Sequence, residues 1–188
     1  MPYSAEDSKG HNAGCFFSGF GGYEAPSISY GDYFYAPPDR YPYVASIQHP
    51  YTGSHLCVGT LVSERWVLTH ASCLDTKRYT TAVRNPYVAL GGESIIGPFK
   101  ELHKIDIVKF HPRYSGYTTS PYDVVLLRLA EPSKLRPLIT MHSGSPPLLE
   151  GLETRAIGWS RLETGGPHSK KLLEITGAFF TVKFITQS

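Results

Sequence analysis

The fold of this chain is decided by residues 57–73, Cys-Val-Gly-Thr-Leu-Val-Ser-Glu-Arg-Trp-Val-Leu-Thr-His-Ala-Ser-Cys. Two apolar segments, 57–62 and 66–69, have the composition of short strands and flank a polar Ser-Glu-Arg turn. A tight helical turn is predicted at residues 70–73, and a cysteine stands at each end of the stretch. The stretch therefore predicts two strands followed by a turn of helix.

Strand-like segments continue on both sides of this stretch, separated by Gly- and Pro-containing turns. They lie at residues 41–48, 57–62, 66–69, 87–91, 105–110, 124–129, 154–159 and 172–182. Residues 124–129 form a nearly continuous apolar run, which predicts a strand buried on both faces. Short strands at this spacing predict an all-β barrel or sandwich.

The order of these motifs resembles the trypsin/chymotrypsin family of serine proteases. That family has Cys-Gly-Gly-(Ser/Thr)-Leu followed by Trp-Val-Leu-Thr-Ala-Ala-His-Cys, and residues 57–73 are similar to both. Further similarities lie at 41–47, at Val-Ala-Leu-Gly (88–91), His-Pro-Arg-Tyr (111–114), Tyr-Asp-Val-Val-Leu-Leu-Arg-Leu (122–129) and Ala-Ile-Gly-Trp-Ser (156–160). The resemblance covers residues 41–182.

The resemblance implies two antiparallel β-barrels joined by a connector. The predicted fold class is all-β, a trypsin-like antiparallel β-barrel with the first barrel complete and the second truncated. We expect a Tyr/Gly-rich arm at 1–40, the first barrel at 41–130, a Pro-rich connector at 131–152 and the start of the second barrel at 153–188. The composition of the arm favours poor order, and a Tyr-rich binding surface is the alternative.

The family's catalytic histidine stands immediately before the second cysteine, where this chain has Ser72. A hydroxyl does not accept a proton near neutral pH, so Ser72 is not expected to act as a base. His70 lies two places earlier, and positions two apart on a helical turn differ by about 200° around its axis. We therefore expect His70 to point away from Asp123, which occupies the position of the family's catalytic aspartate.

Asp123 is expected to be structural in this chain. In the family this carboxylate is buried, and a buried carboxylate without partners is costly. We predict that the Ser72 hydroxyl and nearby backbone N–H groups satisfy it. The family's nucleophile segment, Gly-Asp-Ser-Gly-Gly-Pro, does not occur in the sequence, and residues 30–33 lack the aliphatic start that the family exposes on activation. These features argue against proteolysis.

The resemblance also pairs Cys57 with Cys73 in a disulfide, which leaves Cys15 free or intermolecular. A disulfide implies an oxidising compartment, whereas two buried thiols in a reducing one are the alternative. Residues 1–7 lack the basic and apolar regions of a secretory signal. We nevertheless expect an extracellular, secreted protein whose N-terminus is incomplete or altered.

The bulk composition excludes several other classes of function. The net charge is +2 and charged residues make up 18% of the chain, so nucleic-acid binding is not expected. No apolar run reaches the ~18 residues that span a bilayer. The histidines lack metal-ligand spacing, and Glu93 with Glu101 is too little for a calcium site. We predict no metal and no cofactor.

A narrower similarity points to a function without catalysis. Residues 122–123, 127–135 and 151–159 resemble the glucanase inhibitor proteins of plant-pathogenic oomycetes, trypsin-fold proteins that have lost protease activity and bind plant endo-β-1,3-glucanases. The resemblance implies a protein partner, a host hydrolase of that kind. The alternatives are a truncated form of an active trypsin-like serine endopeptidase and a gene fragment without function.

Overall fold

The computed structural model describes residues 33–74, 85–116, 120–136, 139–141, 151–160 and 167–178. These residues form nine strands and one 3-10 helix, Ala71–Leu74, which follows the fourth strand. The strands are β1 (Tyr33–Tyr35), β2 (Val44–Gln48), β3 (His55–Ser63), β4 (Trp66–Thr69), β5 (Tyr87–Leu90), β6 (Glu101–Phe110), β7 (Val125–Leu129), β8 (Glu153–Gly158) and β9 (Leu173–Ala178). The predicted all-β class is confirmed.

Six of the strands close into an antiparallel barrel in the order β2-β3-β4-β7-β6-β5, and β5 pairs back with β2. Its interior is filled by aliphatic side chains, each fully buried: Ala45, Ile47, Leu61, Val67, Val88, Leu90, Val125, Leu127 and Leu129. Burying one of the Val, Leu or Ile side chains contributes about 1.5 to 3 kcal/mol. Gly59 is required in this packing, because a Cβ there would meet a methyl group of Val67 at 2.8 Å. The predicted first barrel is thus present.

Strand β2 is buried along its whole length, although strands at a barrel wall usually alternate. Ala45 and Ile47 point into the barrel, whereas Val44 packs outside it against Trp159 and Leu172. A second apolar cluster therefore covers the outer face of β2.

The prediction of a strand buried on both faces at residues 124–129 is wrong. Val125, Leu127 and Leu129 are buried, whereas Leu126 and Arg128 are half-buried on the outside of the barrel. Arg128 forms a two-bond ion pair with Asp106 of β6, at 2.9 and 2.8 Å. The run is nearly continuous in apolar residues because Leu126, on the outer face of the barrel, is apolar as well.

The remaining strands form a three-stranded antiparallel sheet in the order β1-β9-β8. Strand β1 lies within the segment expected to be poorly ordered, and that expectation is wrong for residues 33–35. Tyr33 pairs with Ile175 and Tyr35 with Leu173. The local composition of the arm could not predict this strand, because its partner comes from the far end of the chain.

Trp159, at the end of β8, ties this sheet to the barrel. Its side chain is buried, and its indole N–H donates to the Glu93 carbonyl at 3.2 Å. The ring also meets Phe99 and His55 edge-on, with centroids 6.4 and 5.5 Å away. Among the described residues, no helix has the length and apolarity needed to cross a membrane.

Candidate functional site

The site begins where β4 leaves the barrel. Thr69 is the last residue of β4, and its hydroxyl donates to the Val58 carbonyl on β3 at 2.8 Å. The 3-10 helix begins after one intervening residue, at Ala71, and Cys73 within it forms a disulfide with Cys57 of β3, with Cα atoms 6.2 Å apart. The chain between them is thus held at both ends. Cys15 lies outside the described residues.

Ser72 holds both oxygens of Asp123. Its backbone N–H donates to Asp123 Oδ1 at 2.7 Å, and its hydroxyl donates to Asp123 Oδ2 at 2.8 Å. Hydrogen bonds to an ionised acceptor are about twice as strong as neutral ones. The side chain of Asp123 is only 11% exposed, so these two donors replace most of its water. The two donors are those that the sequence assigned to Asp123.

The expectation that His70 points away from Asp123 is wrong. His70 Nδ1 lies 3.5 Å from Asp123 Oδ2, while 64% of the His70 side chain is exposed. The expected rotation around a helix axis does not apply to His70, because the 3-10 helix begins at Ala71 and His70 precedes it. At 3.5 Å the contact is longer than a hydrogen bond, and Ser72 already occupies the same carboxylate oxygen.

Aromatic and basic side chains surround the Asp123 turn. The imidazole of His111 stacks on the ring of Tyr122 with centroids 4.7 Å apart, and Phe110 stacks on Tyr114 at 6.0 Å. Arg113 donates to the Tyr122 hydroxyl at 2.9 Å, and its guanidinium lies 5.4 Å from the centre of that ring. No functional role was predicted for these residues, although aromatic and basic residues on both sides of Asp123 were a visible signal.

No group of three or more His, Cys, Asp or Glu side chains that could hold a metal is found in the described part of the chain. The carboxylate of Glu101 accepts hydrogen bonds from the Ser133 hydroxyl at 2.6 Å and the Lys134 N–H at 2.9 Å, and lies 2.8 Å from His103 Nε2. Burial alone would raise the pKa of Glu101, but these hydrogen bonds hold it below its ordinary value. Glu101 is therefore engaged within the fold.

Comparison with known proteins places this chain in a family. The model of the trypsin family matches residues 33–181, which is more than half of the chain. The chain therefore belongs to the trypsin family, and the resemblance noted in its motifs is confirmed at that level.

Individual relatives support the same family assignment. Over 142 residues the chain is 34% identical to human granzyme M, covering 73% of this chain and 52% of granzyme M. It is 36% identical over 99 residues to the serine protease Hayan of Drosophila melanogaster, covering 50% of this chain and 15% of Hayan. The chain thus spans about half of granzyme M and a smaller part of Hayan.

Solved structures show the same fold. A mutant of human heparin binding protein matches with a TM-score of 0.65 at 24% identity, covering 77% of this chain and 63% of that one. This likeness supports the trypsin-like fold.

Proposed function

We propose that this chain is a non-catalytic member of the trypsin family that acts by binding another protein. The observation that carries this proposal is Ser72 in the position of the family's base, with its N–H and hydroxyl bound to the two oxygens of Asp123. General base catalysis needs a group that accepts a proton near the working pH, and a serine hydroxyl does not. The carboxylate that would orient a base is instead used to fix the 3-10 helix.

The partner we propose is a host hydrolase such as an endo-β-1,3-glucanase, which the chain would inhibit outside the cell. The motifs shared with oomycete glucanase inhibitor proteins support this partner. The Cys57–Cys73 disulfide supports an oxidising, extracellular setting.

A binding measurement tests the partner. We expect purified endo-β-1,3-glucanase to bind the immobilised chain with a dissociation constant in the micromolar range or below, as specific inhibitors do. A bovine serum albumin surface and an unrelated glycoside hydrolase serve as controls. Equal signal on the chain and on the controls would remove the glucanase from the proposal.

One observation favours a second candidate, a truncated form of an active trypsin-like serine endopeptidase in which His70 is the base. The atom of His70 nearest Asp123 is Nδ1, the nitrogen that faces the carboxylate in the Ser-His-Asp arrangement of this family. Peptide nitroanilide hydrolysis and fluorophosphonate labelling, measured on a form of the protein that also carries the family's Gly-Asp-Ser-Gly-Gly-Pro segment, separate the two candidates. The binding proposal predicts neither signal, whereas turnover that is abolished by His70→Ala and kept by Ser72→Ala would establish the endopeptidase.

A further inference from the structure

The turn between β2 and β3 carries a highly exposed tyrosine. It comprises residues 49–54, His-Pro-Tyr-Thr-Gly-Ser, between the end of β2 at Gln48 and the start of β3 at His55. Residues 51–54 are all exposed, and Tyr51 itself is 89% exposed. Almost the whole of the Tyr51 ring is therefore open to contact with another molecule.

Hydrogen bonds fix the backbone of this turn. The His49 N–H donates to the Ser54 carbonyl at 2.8 Å, and the Gly53 N–H donates to the His49 carbonyl at 3.0 Å. The Nδ1 atom of His49 accepts from the Tyr51 and Thr52 N–H groups, both at 3.3 Å. Gly53 has a φ of +67°, a left-handed conformation that glycine adopts without steric cost. The turn is thus held in one shape, which lowers the entropy that binding costs.

The side chains of the turn offer hydrogen-bond donors and no acid. Residues 49–55 include two histidines, a tyrosine, a threonine and a serine, and neither Asp nor Glu. The ring of His49 lies beside that of Tyr51, with centroids 5.8 Å apart. A phenol donates one hydrogen bond, and a bond to an ionised carboxylate is about twice as strong as a neutral one. An exposed ring with a donor at its tip suits a concave site that contains carboxylates.

We propose that the 49–54 turn inserts Tyr51 into the substrate cleft of the hydrolase that the chain binds. This inference rests on the proposed function, since it names the part of the chain that enters the partner. Glycoside hydrolases have two carboxyl groups flanking the bond that they cleave, and binding sites of this kind are concave. The Tyr51 hydroxyl donates to one of these carboxylates, and the ring occupies space that the substrate needs. The chain therefore competes with the substrate.

Initial rates of laminarin hydrolysis by purified endo-β-1,3-glucanase test this inference. We expect the unmodified chain to raise the apparent KM for laminarin and to leave kcat unchanged. Tyr51→Ala should raise the inhibition constant about thirtyfold or more, as loss of a dominant interface residue does. Tyr51→Phe should raise it about tenfold, because that variant loses only the hydrogen bond to a charged acceptor. Ile96→Ala is the control, since Ile96 lies on another turn and is 78% exposed.

A glycine variant tests the shape of the turn separately from its side chains. A Cβ at Gly53 would meet no atom within 4 Å, so the cost of Gly53→Ala comes from its backbone conformation alone. We expect this variant to inhibit about fivefold more weakly, because alanine disfavours a positive φ. Gly151→Ala is the matched control, with a φ of +82° and the same open space. Melting temperatures establish that every variant folds.

The kinetics also separate this inference from the proposed function. If the glucanase is inhibited but kcat falls at an unchanged KM, or Tyr51→Ala inhibits as strongly as the unmodified chain, the glucanase partner stands and the inference is wrong. If Gly53→Ala inhibits as strongly as Gly151→Ala, the fixed shape of the turn has no role in binding. A glucanase that neither binds nor is inhibited removes the partner and this inference together.

Discussion

At the scale of single residues, Ser72 changes what Asp123 does. A carboxylate that is 11% exposed needs donors, and Ser72 supplies two of them from one residue. The hydroxyl reaches Oδ2 while the N–H reaches Oδ1, so the acid joins the turn before β7 to the 3-10 helix after β4. Asp123 is therefore a structural link between two parts of the barrel.

Replacing Ser72 measures the strength of this link. We expect Ser72→Ala to lower the free energy of unfolding by about 1 to 2 kcal/mol, because the substitution removes one donor from a largely buried carboxylate. For a chain of this size the melting temperature should fall by about 2 to 8 °C. Ser63→Ala, at a half-buried serine ending β3, is the control. Equal melting temperatures for Ser72→Ala and the unmodified chain would contradict this role.

At the scale of elements, His55 lies where the barrel meets the second sheet. It begins β3, its Nδ1 lies 2.8 Å from the Ser46 hydroxyl, and its ring meets Trp159 and His168. Burial, and next the charge of His168, lowers the pKa of His55 from 6.5 to about 4. The neutral imidazole is thus the form that this junction accommodates.

Acid should therefore weaken the fold through His55. The unfolded chain binds a proton at His55 below pH 6.5, whereas the folded chain resists it down to about pH 4. The stability from neutral His55 is fully present above pH 6.5, falls progressively as the pH drops below 6.5, and is lost once the pH has fallen through about 4. Between pH 7.5 and 5 we expect a loss of about 2 kcal/mol in urea unfolding. His55→Gln should flatten this dependence, and an unchanged slope in that variant would count against His55.

The disulfide is a second feature that stabilises the fold at this scale, because it joins β3 to the 3-10 helix that carries Ser72. A cross-link with a separation of 16 residues stabilises a fold by about 3 kcal/mol. We expect the Cys57→Ala/Cys73→Ala double variant to lose about that much in urea unfolding. Reductant should lower the stability of the unmodified chain and leave the double variant unchanged. A double variant as stable as the oxidised chain would show that the bond adds nothing.

At the scale of the whole molecule, the barrel was predictable because its signals are local. Alternating apolar residues and Gly or Pro breaks place the strands that are now β2 to β9, with small differences at their ends. The pairing of Cys57 with Cys73 and the proximity of Ser72 to Asp123 came from the family resemblance. The sequence also identified the residue that departs from the family, Ser72.

Features that depend on contacts between distant segments were not predictable. Strand β1 needs β9, and the half-buried outer face of β7 depends on β4 and β6 beside it. The orientation of His70 depended on the first residue of the 3-10 helix. Because the helix starts at Ala71, His70 lies outside it and can approach Asp123. The contacts among His111, Arg113 and Tyr122 form only where the end of β6 and the turn before β7 lie side by side.

We propose that this trypsin-family fold is used for binding. Within the described residues, the barrel interior, the disulfide and the Ser72–Asp123 hydrogen bonds hold the first barrel together. Binding and proteolysis affect the activity and the chain length of a target protein differently. Inhibition by binding is immediate, saturates at a fixed ratio and leaves the target intact, whereas proteolysis is progressive and needs only a trace of enzyme.

A time course with purified endo-β-1,3-glucanase tests this claim most directly. Glucanase activity and glucanase chain length are followed together while the protein is added from a trace amount to a molar excess. We predict an immediate loss of activity that saturates near equal molar amounts, with the glucanase chain uncut. Undiminished activity in molar excess, or a progressive loss accompanied by cleavage of the glucanase, would contradict the account.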